Sequence, residues 1–223
     1  MRHVLAYLML SLLALSGPQR TSLNARIAQV PNGTVAQSIY SNDALEVSFQ
    51  IRNGWTATLI SAGAVQFAPE RAAADPVNRC SRALFSSELI DSANKPFGPK
   101  VTYFVFDPEC FPGAPFPRST EHRAAVTKFA QRVVHALANT PYIPPGGADF
   151  GGFDAGKRSF VTLTADKNVA VPGNGPAQGN MVHVNTMLIL TESNGYWVVM
   201  AEMVDDASKG IMQAAGMGVS ERR

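Results

Sequence analysis

The sequence predicts an α+β fold, in which helices pack on a mostly antiparallel β-sheet. Two segments with the alternation of half-buried strands, one amphipathic helix and a long hairpin near the C-terminus carry this prediction. The chain has 223 residues, of which 46% are hydrophobic, so it can build a packed core. Its 18 glycines and 15 prolines indicate many turns. We expect a single domain over 38–223, which is within the usual size range for one core.

The first strands are predicted in the N-terminal half. Apolar and polar residues alternate over 45–51, as in a half-buried strand. Asn53-Gly54 is typical of a tight hairpin turn, and Trp55 begins a return strand. Residues 81–86 and 101–106 predict two further strands, because the second in particular is rich in β-branched and aromatic side chains.

The clearest helix is predicted over 121–138. Its apolar residues recur at helical spacing on one face: Val126, Phe129, Ala130, Val133 and Leu137. Ser119 or Thr120 can cap its start, and Pro141 follows its end.

The last third of the chain contains three predicted strands, over 158–165, 181–191 and 196–203. The last two form a hairpin closed by Asn194-Gly195, which suits a type I′ turn. That turn places Leu190 opposite Val199 and gives the hairpin a continuous apolar face. We expect the helix at 121–138 to cover this face.

The N-terminus has the pattern of a secretory signal over 1–16. Arg2 precedes an apolar run over 4–15, and small residues follow at Ala14 and Ser16. The run is shorter than the ~20 residues that span a bilayer. A core helix and an uncleaved anchor are the other interpretations. The signal predicts a soluble extracytoplasmic protein, periplasmic or secreted, with no transmembrane segment after cleavage. Residues 17–37 are polar with few periodic apolar positions, which predicts a flexible segment.

The two cysteines, Cys80 and Cys110, predict a disulfide. An exported protein meets an oxidising compartment, where an even number of cysteines favours pairing. A reactive thiol at Cys110 is the alternative. Asp107 and Glu109 flank it, and acidic neighbours do not lower the pKa of a thiol.

The order of these motifs resembles the PsbP-like α/β/α sandwich family. The shared features are Tyr40-Ser-Asn42 before a strand, the pair Gly54-Trp55, and a closing hairpin that leads into a short helix at Asp205-Asp206-Ala207. Arg52 stands where the family usually has proline. The resemblance implies an α/β/α sandwich and a non-catalytic binding or assembly role. It brings no catalytic residues to this chain.

Charge and motifs argue against several function classes. The chain has 19 basic and 17 acidic residues, so it lacks the basic excess that nucleic-acid binding requires. The run Gly151 to Lys157 imitates a phosphate-binding loop, but Arg158 follows where that motif needs Ser or Thr. We therefore interpret it as a glycine turn before a strand. No cofactor site is predicted.

Two chemical alternatives remain open. The first is copper handling by residues that share one face of the hairpin: Met181, His183, Met187, Met200 and Glu202. Packing of the methionines in a second core layer, beneath another helix, explains the same residues without metal. The second is a hydrolase whose triad uses His122, His135 or His183 together with distant residues.

Aromatic residues in Pro/Gly-rich loops are the candidate binding residues. They are Phe111, Phe116, Tyr142, Phe150 and Phe153. Such loops either present an apolar rim or fold over the edge of the sheet. The leading hypothesis is an exported, non-catalytic binding or assembly-accessory protein, and its partner is an unidentified protein or small molecule.

Overall fold

The structure is a computed structural model that describes residues 23–90, 97–113, 115–171, 180–209 and 219–220. Its helices are α1 (Ala25–Gln29), α2 (Pro76–Arg79) and α3 (Arg123–Leu137), and one more helical turn covers 206–209. Its strands are β1 (Thr34–Ala36), β2 (Ile39–Asn42), β3 (Val47–Gln50), β4 (Trp55–Leu59), β5 (Ser81–Leu89), β6 (Lys100–Phe106), β7 (Asp149–Ala155), β8 (Arg158–Val171), β9 (Asn180–Ser193), β10 (Tyr196–Asp205) and β11 (Val219–Ser220).

The strands form two antiparallel sheets. The large sheet has the order β4-β5-β6-β10-β9-β8-β7, and the small sheet has the order β1-β2-β3-β11. Every described strand pair is antiparallel. The predicted α+β class with a mostly antiparallel sheet is confirmed.

The β9–β10 hairpin has the register expected from its turn. Leu190 lies opposite Val199, and Leu188 lies opposite Ala201. Asn194 and Gly195 have φ values of 48° and 74°, as the two central residues of a type I′ turn require. The turn chemistry therefore sets which side chains of the hairpin share a face.

Helix α3 covers one face of the large sheet. Phe129 is completely buried, and its ring meets the Trp197 indole edge-on at 5.1 Å. Val133 and Leu137 join the same core as Leu190 and other residues of β8, β9 and β10. The predicted contact between the helix and the hairpin is confirmed.

The opposite face of the large sheet is covered by α1 and the small sheet. Tyr40 stacks on Phe85 at 3.9 Å, and Phe85 stacks on Tyr103 at 4.1 Å. Met200 lies in this second core and is almost fully buried. The sequence predicted a helix over these methionines. The structure corrects this for Met200, which shares its core with side chains of the small sheet, whereas Met181 is 63% exposed.

The predicted hairpin between β3 and β4 is wrong. The turn at 53–54 is present, with Trp55 N donating to Arg52 O at 3.0 Å and Gly54 at a φ of +81°. However, β3 pairs with β2 and β11, whereas β4 pairs with β5. The turn passes the chain from one sheet to the other. Local alternation identifies a strand but does not specify a distant pairing partner.

The described part of the segment predicted to be flexible, 23–37, differs from that prediction. It contains α1 and β1, and Ile27 is completely buried. The Asn24 side chain caps α1 by accepting from Ile27 N at 2.9 Å, and it donates to Asp107 at 2.9 Å. These elements are too short to show periodicity and are held by tertiary contacts. The predicted signal at 1–16 lies outside the described residues.

Strand β7 and the start of α3 are two further corrections. The sequence predicted a loop over 141–156, but β7 pairs with β8 there despite its two adjacent glycines. Neither Ser119 nor Thr120 caps α3, whose N-cap position is taken by His122 without a side-chain bond. Both residues instead bind Asp154 of β7 at 3.1 Å, which fixes the edge strand beside the helix.

Cys80 and Cys110 form the predicted disulfide, with a Cα–Cα distance of 6.1 Å. It joins the residue before β5 to the turn after β6. Asp107 N also donates to Cys80 O at 2.9 Å across the same gap.

Candidate functional site

A cavity of about 680 Å³ opens on the face of the large sheet opposite α3. The small sheet covers this face over β5, β6 and the turn end of the β9–β10 hairpin, where Ser193 and Asn194 side chains donate to the carbonyls of Leu45 and Ala44. Toward the other end of the hairpin this cover stops. The exposed stretch of β8, β9 and β10 forms the floor of the cavity.

The loop 144–149, which precedes and enters β7, forms one wall of the cavity. On the α3 side of the sheet, two hydrogen bonds hold the residues that lead into this loop. Thr186 Oγ1 donates to Tyr142 O at 2.8 Å, and Lys167 Nζ donates to Pro141 O. Burial lowers the pKa of Lys167. The segment before the wall is therefore anchored to β8 and β9.

One row of side chains crosses the floor. Asp149 on β7 pairs with Thr164 on β8, Thr164 pairs with Met187 on β9, and Met187 pairs with Glu202 on β10. Directly paired residues of antiparallel strands point to the same face. Three interstrand spacings separate the ends of the row, which is about 14 Å.

Glu202 is the most unusual member of this row. It is only 4% exposed, and its carboxyl has no hydrogen-bond or ion-pair partner among the residues that the structure describes. Burial raises its pKa to about 7, and the positive charge of Arg52 opposes that rise. Tyr103 lies on the same face, and burial together with the Glu202 charge raises its pKa as well. With a pKa of about 7, the Glu202 carboxyl is half ionised near neutral pH.

A polar network forms the rim. Lys209 Nζ donates to Asn185 Oδ1 at 2.6 Å, and Asn185 Nδ2 donates to Asp206 Oδ1 at 2.7 Å. His183 Nδ1 lies 3.0 Å from the same carboxyl oxygen. The hydrogen bonds from His183 and Asn185 hold the pKa of Asp206 below its ordinary value. The network ties the helical turn at 206–209 to β9.

The residues of the copper hypothesis are not brought together. Met200 is buried in the second core, whereas Met181 is 63% exposed. His183 contacts Asp206, and only Met187 and Glu202 are direct neighbours. Within the described ranges no three His, Cys, Asp or Glu side chains form a group that could hold a metal ion.

The histidines of the hydrolase hypothesis are all exposed. His183 has a carboxylate neighbour in Asp206, whereas His122 and His135 lie at the two ends of α3. In the part of the chain that the structure describes, no serine or cysteine is hydrogen-bonded to any of them.

The five candidate aromatic residues separate into two groups. Phe111 stacks on Trp197 at 5.7 Å, while Phe116 and Tyr142 pack on core phenylalanines at 4.8 Å. These three fold onto the core, as the second interpretation of the loops predicted. Phe150 and Phe153 remain 41% and 43% exposed on β7. They lie on opposite faces of that strand and do not form one rim.

None of the helices in the described part of the chain is long and apolar enough to cross a membrane.

Neither a family model nor a curated protein matches the chain. Among solved structures, the solution structure of cyanobacterial PsbP (CyanoP) from Synechocystis sp. PCC 6803 is similar over 84% of this chain and 96% of that chain. The identity is 13% and the TM-score is 0.40. At these values the similarity carries no argument about function.

Sequence reasoning found part of the cavity. The turn at 194–195 determines the register of the hairpin, so it also places Glu202 beside Met187. Asp149 was missed because its segment was interpreted as a loop, and Thr164 was missed because the register of β8 against β9 had no local signal. Two glycines separate Phe150 from Phe153, so this segment lacks the apolar–polar alternation that would indicate a strand.

Proposed function

We propose that this protein is an extracytoplasmic, non-catalytic binding protein that holds a small molecule in the cavity on its large sheet. The observation that carries the proposal is the combination of a cavity of about 680 Å³ with a buried, unpaired carboxyl on its floor. Ligand sites usually occupy about 300–1,000 Å³ and contain a few placed polar groups.

The arrangement of the carboxyls supports binding over catalysis. Paired catalytic carboxyls in glycoside hydrolysis stand about 5–10 Å apart. By strand spacing, the backbone position of Glu202, whose raised pKa would suit a general acid, lies about 14 Å from that of Asp149 and about 12 Å from that of Asp166. The described lining contains no serine, cysteine or histidine. This supports a site that recognises a ligand and leaves it unchanged.

The disulfide supports the extracytoplasmic location. Disulfides persist in oxidising compartments and are rare in the cytosol. Cys80 and Cys110 are paired, and the predicted signal at 1–16 provides a route of export. Labelling of free thiols in the protein isolated from whole cells tests the pairing: an extracytoplasmic chain is protected until it is reduced.

Native mass spectrometry of the protein purified gently from the envelope fraction tests the binding role. Gly146 lies on the cavity wall, and a Cβ there meets nothing within 4 Å. We expect a small-molecule adduct on the wild type, its loss in Gly146→Trp, and its retention in the matched control Gly146→Ala. An adduct that survives Gly146→Trp, or no adduct on any form, contradicts binding in the cavity.

The non-catalytic part of the proposal has its own measurement. The compound released from the wild type is incubated with fresh protein and then analysed by mass. We expect it to be recovered unchanged. Conversion to a product of different mass would identify an enzyme.

A further inference from the structure

The two ends of the cavity floor are acidic and its middle is uncharged. Asp149 and Glu202 stand at the ends of the row, with the hydroxyl of Thr164 and the thioether of Met187 between them. Asp166, on the next row, adds a third carboxyl to the lining. Lys209 is the only described cation in the lining, and its ammonium already donates to Asn185.

Glu202 needs a cation that the described part of the protein does not supply by contact. A buried carboxylate is strongly disfavoured unless it is paired and hydrogen-bonded. Arg52 acts on Glu202 only through its charge and forms no ion pair with it. The other facing groups are Tyr103, which is neutral, and the carboxyls already named. A ligand ammonium would provide both the charge and the hydrogen bonds.

A metal ion fits this geometry poorly. Coordination needs several ligands converging at about 2–3 Å on one point. The three acidic residues are instead spread over β7, β8 and β10, and the described side chains form no metal-binding group. Charges spaced along a groove match an elongated ligand with separated charges.

We propose that the cavity binds a linear aliphatic polyamine, with one terminal ammonium on the Glu202 carboxylate, the other near Asp149, and the methylene chain over Met187. The inference rests on the proposed function, because it names the ligand class of the same cavity. The thioether of Met187 offers a flexible apolar contact for methylene groups. Thr164 offers a hydroxyl that accepts from an amine in the middle of the chain.

Isothermal titration calorimetry with spermidine tests the proposal at low ionic strength and about pH 8. We expect one spermidine per chain. Glu202→Gln, which is nearly isosteric, is expected to bind at least about tenfold more weakly, because it loses a charge-assisted hydrogen bond in a buried site. Asp149 is exposed, so Asp149→Asn is expected to lower the affinity for spermidine only about two- to fivefold. Butylamine, with one ammonium, is expected to bind more weakly than spermidine.

Glu192→Gln is the matched control. It makes the same change of charge at an exposed site near the β9–β10 turn, away from the cavity. We expect its affinity for spermidine to equal that of the wild type. Equal losses in Glu192→Gln and Glu202→Gln would show that spermidine is attracted to acidic groups in general and would overturn the proposal.

The pH dependence provides a second readout. Spermidine pairs with the ionised carboxyl, so binding to the wild type is expected to weaken by about tenfold between about pH 8 and about pH 6, and to stay nearly constant in Glu202→Gln. An identical pH dependence in both proteins contradicts the assignment to Glu202.

Failure of the inference and failure of the proposed function are distinguishable. If spermidine does not bind but a natural adduct of other chemistry disappears in Gly146→Trp, the polyamine is wrong and the binding role stands. If calcium chloride displaces spermidine at equal concentration, the site is a metal site and the proposal is overturned. If neither spermidine nor any natural compound binds, both are wrong.

Discussion

The two faces of the large sheet use the same strands for different purposes. On β10, Trp197, Val199 and Ala201 face α3 and lie in a dry apolar core. The residues between them face the small sheet, and that series ends with Glu202 in the cavity. Because side chains alternate along a strand, one hairpin supplies both a packed core and a polar floor.

The difference between the faces follows from the length of their covers. Helix α3 has 15 residues and lies against the hairpin over much of its length. The small sheet consists of strands of two to four residues and covers β5, β6 and the turn end of the hairpin, but not the stretch of β8, β9 and β10 that lines the cavity. A short cover leaves part of the sheet accessible, and polar residues occur where the cover ends. The fully covered α3 face contributes stability, whereas the partly covered face leaves room for the cavity.

Truncation of the α3 core is expected to have the largest effect. Phe129→Ala removes a completely buried ring that contacts Trp197 and Phe116, and we expect a loss of about 3–5 kcal/mol in the free energy of unfolding. Met187→Ala, on the half-covered face, is the comparison variant and is expected to lose less than about half of that. Urea denaturation of both variants measures the difference. Equal losses would show that the two faces are equally packed.

The disulfide is expected to rank next. The bond between Cys80 and Cys110 closes a loop with a sequence separation of 30. Chain entropy predicts a loss of about 3–4 kcal/mol when both cysteines are changed to serine. The measurement is urea denaturation of the double variant beside the oxidised wild type. If the reduced wild type unfolds at the same urea concentration as the oxidised form, the disulfide does not stabilise this fold.

Glu202→Gln is expected to stabilise the protein at high pH. In the native state the pKa of Glu202 is about 7, whereas the ordinary pKa of a glutamate side chain is 4.5. The unfolded chain therefore loses this proton first, and the free energy of unfolding of the wild type falls as the pH rises between these values. The shift corresponds to at most about 3 kcal/mol. We expect Glu202→Gln to have a higher free energy of unfolding than the wild type by most of this amount above about pH 8, and an equal one below about pH 4.

Denaturation curves of the wild type and Glu202→Gln at several pH values measure this gain. Glu192→Gln, which changes an exposed carboxyl, is the matched control and is expected to show no pH-dependent difference. A constant difference between wild type and Glu202→Gln at all pH values would contradict a buried titrating carboxyl. A gain in stability together with a loss of ligand binding would be typical of a site maintained for function.

The sequence predicted the α3 face more completely than the other. The apolar positions of α3 and the turn at 194–195 are local patterns, and together they specify the helix, the hairpin register and their contact. The small sheet depends on pairings between distant segments, such as β3 with β11, which no local pattern encodes. This is why Glu202 was placed on the correct face while its cavity was not foreseen.

Removal of the α1 cap tests the weaker cover directly and is expected to have the smallest effect. Asn24→Ala deletes the bond to Ile27 N and the bond to Asp107, and we expect a loss of about 1–2 kcal/mol. Ser119→Ala, which removes an exposed bond to Asp154 near α3, is the comparison and is expected to lose less. Hydrogen exchange of the Ile27 and Val30 amides reports the cover itself. Faster exchange there, with unchanged exchange in α3, is the expected result. Uniform acceleration would show that both covers unfold as one unit, and the contrast between the two faces would then concern accessibility alone.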